Sequence, residues 1–292
     1  MGETSRGILS NIEVRSLPGR IAYALMLAVL LVLGLIFIFP FIFAFTAGLK
    51  PSAEIYLPGL NLLPNEPRWT NYWDAWQRFN MLRMFRNSFV IAIGGVVGQL
   101  LVASLAAYSL ARLKPVGRKI VLFMFLTTLT IPAIAYLIPL YMTIVDLPIF
   151  HISLINSYWG LWLPYAANAF AILLLKNFFE QIPHEIYDAA EVDGASPVRV
   201  FFAITLPLSK SILMILAMLS FVGLWKDFLL PLLVLREASL QPVTVRLYNL
   251  VANFPLNLQL AGAFIAMVPP LIATILMQRQ MQLGITMGGI KG

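Results

Sequence analysis

The sequence contains no cysteine, which excludes disulfide frameworks, thiolate metal sites and cysteine nucleophiles. It has two histidines, His151 and His184, far apart in the chain, so no histidine-based metal centre is expected. Charge is scarce: 11% of the 292 residues are charged, where a soluble domain of this length carries about 25%. There is no Gly-Lys step anywhere, so the phosphate-cradling loop G-x-x-x-x-G-K-[ST] is absent and with it that route to a nucleotide site. Internal repeats and low-complexity segments are also missing. What is plentiful is apolar: 60% of residues are hydrophobic and the mean hydropathy is +0.85. These values describe a polytopic membrane protein rather than a pair of soluble domains. The net charge of +7 would suggest nucleic acid in a soluble protein. Here it reads as basic residues anchoring membrane segments, so lipid is the expected contact and nucleic acid is not.

The first apolar stretch, Ile21 to Leu49, runs 29 residues without a charge. That exceeds the roughly 7–15 residues of a signal-peptide core and is long enough to cross a hydrocarbon layer of about 30 Å. Charges delimit five further spans: Asn87–Ala111, Ile120–Val145, Ile152–Leu175, Ser211–Leu235 and Leu258–Gln278. The expected fold is therefore an all-α membrane protein of six transmembrane helices. Pro40, Pro132, Pro139, Pro164 and Pro231 lie inside spans, which implies bent helices packed on partners that satisfy the freed carbonyls. The loop Arg112–Lys119 holds four basic residues in eight positions, whereas the next loop, Asp146–His151, has neither Lys nor Arg. The positive-inside rule puts the basic loop, and with six spans both termini, in the cytoplasm. The first outer loop holds Lys50, Arg68, Arg78, Arg83 and Arg86 and runs against that rule. Its Trp69, Tyr72, Trp73, Trp76 and Phe79 fit a short helix at the outer interface.

Between Glu180 and Asp193 lie five of the thirteen carboxylates, with no Lys or Arg among them. Pro183 suits a first helical turn, and Glu185 then sits where the helix dipole favours negative charge. Ala189 and Ala190 present a smooth surface that lets another backbone approach. Gly194 can adopt the left-handed conformation that ends a helix. Ser196 and Pro197 restart one as N-cap and first position, and Pro207 ends or bends it. The expectation is helix, turn, helix at the cytoplasmic face, either as a solvated loop or as a docking element for a soluble partner.

This segment resembles the signature loop of ABC-importer permeases, E-A-A, three residues, Gly, nine residues, I-x-L-P. Here Asp188-Ala189-Ala190 is followed by three residues, Gly194, nine more, and Ile204-Thr205-Leu206-Pro207; the one departure is Asp for the first Glu. Arg86-Asn87-Ser88, Ala106-Ala107-Tyr108 with Ala111-Arg112, and Trp225-x-Asp227-Phe228 with Pro231 are similar to the carbohydrate-uptake branch. So is the tail Gln278-Arg279, Gly284-Ile285-Thr286, Lys291-Gly292. The likeness covers roughly residues 20–292 and is strongest to the smaller permease subunit of maltose-type importers.

The resemblance implies the type I ABC importer permease fold, in a bacterial cytoplasmic (inner) membrane. It implies a cytoplasmic tail over 1–20, a first helix over 21–49 and an outer loop with its interfacial helix over 50–86. A transmembrane domain over 87–280 contains a coupling loop at 176–210, and 281–292 forms a cytoplasmic tail. The implied partners are a second permease subunit, two ATPase subunits that carry ATP and Mg, and an extracytoplasmic solute-binding protein reached by the outer segment Arg236–Asn257. The chain itself would do no chemistry. Asp188, Ala189, Ala190 and Gly194 would form the core of the ATPase contact, with Glu185, Glu191 and Asp193 as acidic contacts and Leu206-Pro207 closing the motif.

Lys226 and Asp227 are costly inside a span. Either they line a passage together with Trp225, or they satisfy partners between helices; Lys226 replaces the Asn usual in the family. Gln99, Tyr136, Tyr141 and Asn168 are further pathway candidates. The implied solute is a sugar or oligosaccharide, or alternatively an anionic glycan or glycerol phosphate, which the basic outer loop would permit. A stand-alone secondary transporter predicts inverted repeats and carboxylates at the bilayer midplane. A membrane enzyme predicts a metal cluster or paired catalytic groups. The sequence offers neither set.

Overall fold

The computed structural model describes residues 17–59 and 61–288. Most of the expected N-terminal tail, and Lys291-Gly292 of the tail motif, lie outside the described residues. Every regular element among the described residues is helical, apart from one isolated bridge between Leu147 and Ile152. The chain forms two compact units: residues up to Trp73 with Pro255–Phe264, and Asp74–Phe254 with the remainder.

In the first unit, α1 (Leu17–Gly48) is apolar all round, with a mean hydropathy of 3.0 in its most apolar stretch and no burial there. Pro18 sits in the first turn, where a missing N–H costs nothing. Only the last turn is buried. Asn71 donates through Nδ2 to the carbonyls of Gly48 and Lys50, both at 2.9 Å, and so satisfies groups that the helix end leaves open. Tyr72 Oη donates to Phe45 O at 2.8 Å, and Phe45, Trp69, Tyr72 and Phe264 pack ring to ring. Burial raises the Tyr72 phenol pKa, as expected for an O–H held in an apolar cluster. A short helix, α2 (Ser52–Ile55), follows; α3 (Thr70–Arg78) is helical where a short helix is expected, and the division between the units falls within it, with Trp69 before it and Trp73 in it both exposed.

In the second unit the central element is α4 (Met81–Tyr108), separated from α3 by Asn80 in the left-handed region at φ 54°. It continues as a π turn through Leu113 and stops at Lys114, also left-handed. Gly94, Gly95 and Gly98 let other helices reach its backbone. A Cβ on Gly94 would lie 2.3 Å from the Trp162 ring, and one on Gly95 2.6 Å from Leu224.

Three of the expected spans are not continuous helices. The third is α5 (Arg118–Thr130) and α6 (Ala133–Val145), set at 109°. Ile131 precedes Pro132 and is extended, because the proline ring excludes the helical conformation before it. The fourth is α7 (Trp159–Ala166) and α8 (Ala169–Gln181), bent by 42° at Asn168, whose Oδ1 caps α8 by accepting from Ala171 N at 2.9 Å.

After α8 come α9 (His184–Val192), α10 (Pro197–Val200), a π turn over Phe201–Thr205 and α11 (Leu206–Leu208). The chain then bends by 75° into α12 (Lys210–Lys226). The fifth expected span, Ser211–Leu235, breaks after Lys226: Asp227 is extended, and α13 (Leu229–Val234) follows. Pro231 has no N–H to offer the Asp227 carbonyl, and Thr244 Oγ1 donates to it instead at 2.9 Å. Thr244 lies on α14 (Val243–Leu250). The last helix, α15 (Leu256–Gly288), runs well past the expected end at Gln278.

Among the described residues three helices are long and apolar enough to cross a membrane, or up to six if α5 with α6, α7 with α8, and the stretch from α10 to α11 with α12 each count as one bent span.

Candidate functional site

The acidic segment folds as a helix–turn–helix whose local geometry follows from its residues. Pro183 sits one position before the helix rather than within its first turn. At the other end Ala195 N donates to Ala190 O and Gly194 N to Glu191 O, both at 2.9 Å, with Gly194 at φ +71°. This is the Schellman closure, which needs a residue free to turn left-handed. Ser196 Oγ then accepts from Arg199 N at 3.3 Å and caps α10, with Pro197 at its start.

The underside of this element belongs to the bundle core. Ala190, Val200 and Phe201 are buried in one apolar cluster with Ala103 and Ala107 of α4, Leu175 and Phe179 of α8, and Leu216 of α12. Leu206 packs against that cluster, while Pro207 is exposed at the bend. The two alanines therefore do not share one surface. Ala189 faces outward, but Ala190 is 8% exposed and packs inward, because it shares a helix face with Tyr187, which packs on the same cluster, whereas positions 185, 189 and 192 lie on another face. Glu185, Asp188, Glu191 and Asp193 are all exposed. None of the four forms an ion pair among the described residues.

Arg112 joins this element to the rest of the unit, and its role was not apparent from the sequence. The guanidinium donates to the carbonyls of Phe179 and, at 2.6 Å, Ile182. It lies 3.9 Å from the Tyr187 ring centre and faces His184 Nδ1 at 3.3 Å. Tyr108 Oη donates to Pro197 O at 3.1 Å, and Tyr187 Oη and Thr205 Oγ1 are 3.2 Å apart. Arg118 pairs with Glu180, which Lys176 also reaches at 2.8 Å. The basic loop and the acidic segment therefore share one end of the bundle.

The pathway candidates fall in separate settings. Trp225 is 3% exposed, enclosed by Phe85, Phe89 and Phe221, and donates its indole N–H to Ala266 O at 3.2 Å. It packs as a core residue among these rings. Asp227 accepts from Tyr165 Oη at 2.6 Å, whereas Lys226 points outward. Gln99 is buried on α4, Asn168 is used as the α8 cap, and Tyr136 is exposed. Tyr141 accepts from Arg236, whose backbone N–H, with that of Glu237, is held by Asn156 Oδ1 at 2.7 and 2.9 Å. Among the described residues no cluster of three or more His, Asp or Glu could hold a metal.

Residues 99–282 match the family described as binding-protein-dependent transport system inner membrane component. The chain belongs to that family. It is 33% identical to the sn-glycerol-3-phosphate transport system permease protein UgpE of Brucella melitensis biotype 1, over 86% of this chain and 91% of that one. It is 32% identical to the sulfoquinovosyl glycerol transport system permease protein SmoH of Agrobacterium fabrum, over 91% and 92%. Its fold is similar to a chain from the crystal structure of a bacterial ABC transporter involved in the import of the acidic polysaccharide alginate. The TM-score is 0.77 at 24% identity, covering 91% of this chain and 97% of that chain. This is a multi-pass membrane permease subunit of a binding-protein-dependent ABC importer, and not itself an enzyme.

Proposed function

We propose that this permease forms half of the passage of an ATP-driven importer and is moved from the cytoplasm through α9 and its flanking turns. Six crossings carry the topology: α1, α4, the α5–α6 and α7–α8 pairs each as one broken span, α12 continued by α13, and α15. Both termini are then cytoplasmic. Residues 1–20 and 281–292 lie on the cytoplasmic side, with 21–49 as the first span, 50–86 as the outer loop and 87–280 as the transport domain. Two ATPase subunits, holding ATP and Mg, dock on the 176–210 loop. A second permease completes the passage, and a solute-binding protein meets the outer segment 236–257. The membrane is the bacterial inner membrane.

The observation that carries this reading is that α9 and its C-terminal cap expose four carboxylates, without ion-pair partners among the described residues, while Ala190 is buried in one cluster with α4, α8 and α12. Coupling between distant sites needs a contiguous, closely packed connection. Force applied to such a helix is delivered to three spans at once. Glu185, Asp188, Glu191 and Asp193 supply charge for a cationic groove, Ala189 the close approach, and Gly194 with Leu206-Pro207 the shape of the elbow. Of the pathway candidates, Asp227, Lys226, Tyr136 and Tyr141 contribute polar groups to the passage, with Gln99, Asn168 and Trp225 behind them. The solute is a sugar or glycerol-based polyol. The names of two relatives, carrying phosphate and sulfonate, favour one bearing an anionic group.

Ala189→Arg tests the docking role, because Ala189 is exposed and its substitution leaves the core intact. The assembled transporter should lose ATPase subunits on purification while the permease keeps its thermal stability. Retention of both ATPases at wild-type stoichiometry would overturn the proposal.

A further inference from the structure

At the opposite end of the second unit, a pocket of about 130 Å³ opens between the start of α4 and the segment leading into α14. Its wall carries three guanidinium-bearing side chains, Arg78, Arg83 and Arg246, and no carboxylate. Arg78 has a single, exposed and long ion pair, 3.9 Å from Asp74. Among the described residues the side chains of Arg83 and Arg246 have no hydrogen-bond or ion-pair partner, and Arg246 is half-buried. The nearby carboxylate of Glu237 is turned toward Asn156 and Ser239 instead.

The floor is rigid. Asn87 is 1% exposed and donates to the carbonyls of Ser239 at 2.8 Å and Gln241 at 3.1 Å. Gln241 is also buried, donating to Leu235 O at 3.0 Å and accepting from Asn249 at 3.1 Å. Those amides are consumed in holding shape, which leaves the arginines as the free donors. Three like charges around a small concavity repel one another when it is empty and are relieved by an anion. Guanidinium groups present paired N–H donors that match the oxygens of phosphate, sulfonate and carboxylate. The 28-residue α4 starts beside them, adding the positive end of its dipole.

We propose that this pocket receives the oxyanion group of the imported solute at the outer end of the permease, before the solute passes inward. The proposal rests on the reading that this subunit belongs to an importer of an anionic polyol. It adds the side chains that select for charge. The pocket's small size fits an isolated oxyanion better than an acyl-bearing lipid or the face of a protein.

The test uses the assembled transporter in phosphatidylcholine nanodiscs, with inorganic phosphate and methanesulfonate as probes and glycerol as the uncharged control. Titration calorimetry should show both anions binding with a strong salt dependence, and glycerol not binding. R83Q/R246Q should weaken anion binding at least tenfold. Retention of its ATPase subunits on purification shows that it folds, and R246K should recover part of the loss. Equal phosphate binding by wild type and R83Q/R246Q would overturn the proposal. So would a difference between them that appears only when phosphatidylglycerol is added to the disc, which would make the pocket a lipid site. ATP hydrolysis by the wild-type transporter is measured alongside; its absence would count against the importer reading, whereas its presence with unchanged anion binding counts against the pocket alone.

Discussion

Replacing Arg112 by Ala should uncouple ATP hydrolysis from transport without unfolding the permease. Arg112 makes hydrogen bonds to Phe179 O and Ile182 O and covers the Tyr187 ring. Each charge-assisted bond is worth about 1.5 kcal/mol at the low end of the usual range, appropriate to a half-exposed group. The cation–π contact adds about 0.5–1 kcal/mol. The sum, about 3.5–4 kcal/mol, corresponds to roughly a 300- to 900-fold shift toward a loosened α9. The apolar underside formed by Ala190, Val200 and Phe201 keeps the element attached, so a weakened lever is expected rather than a lost one. In proteoliposomes containing the binding protein, solute uptake per ATP hydrolysed should fall severalfold in Arg112→Ala. Arg112→Lys should lie between the two, because an ammonium restores the charge but not the planar fork. Wild-type stoichiometry of uptake to hydrolysis in Arg112→Ala would refute the claim that this side chain ties the element to the bundle.

Gly94→Val should cost about 3 kcal/mol or more, because its Cβ would meet the Trp162 ring at 2.3 Å. Gly98→Ala, whose Cβ would stand at an ordinary 3.6 Å from Ala166, should be close to neutral; thermal denaturation of the detergent-purified protein separates the two. Thr244→Val removes the donor to the Asp227 carbonyl at 2.9 Å and should cost about 1–3 kcal/mol by leaving that group unsatisfied. Equal melting midpoints for Thr244→Val and wild type would show that another donor serves the Asp227 break.

Much of the molecule follows from local rules, which a sequence displays directly. The apolar stretch after Arg20 could only be a long helix, and Gly194, Ser196 and Pro197 specify a turn through their own backbone preferences. The breaks were only partly visible. Pro132 and Pro164 marked the third and fourth spans as bent, yet the 109° at one and 42° at the other depend on what packs against each half. In the fifth span Pro231 indicated a disturbed carbonyl, but its substitute donor lies 17 residues away in sequence at Thr244.

The same division holds at the functional end. The spacing from Asp188 through Gly194 to Pro207 is a property of the chain alone, and it was enough to indicate the family and the elbow. Periodicity could not say that Ala189 faces out and Ala190 in, because that depends on which side of α9 meets the core. Trp225, Asp227 and Arg112 each carry groups that could face a passage, a solvent or a neighbour. Only the approach of Ala266, Tyr165 and the end of α8 assigns them. Backbone conformation and hydropathy are short-range quantities and were determined by the sequence itself, whereas the partner of a long polar side chain is set by residues tens to hundreds of positions away, and the tertiary structure alone decided it.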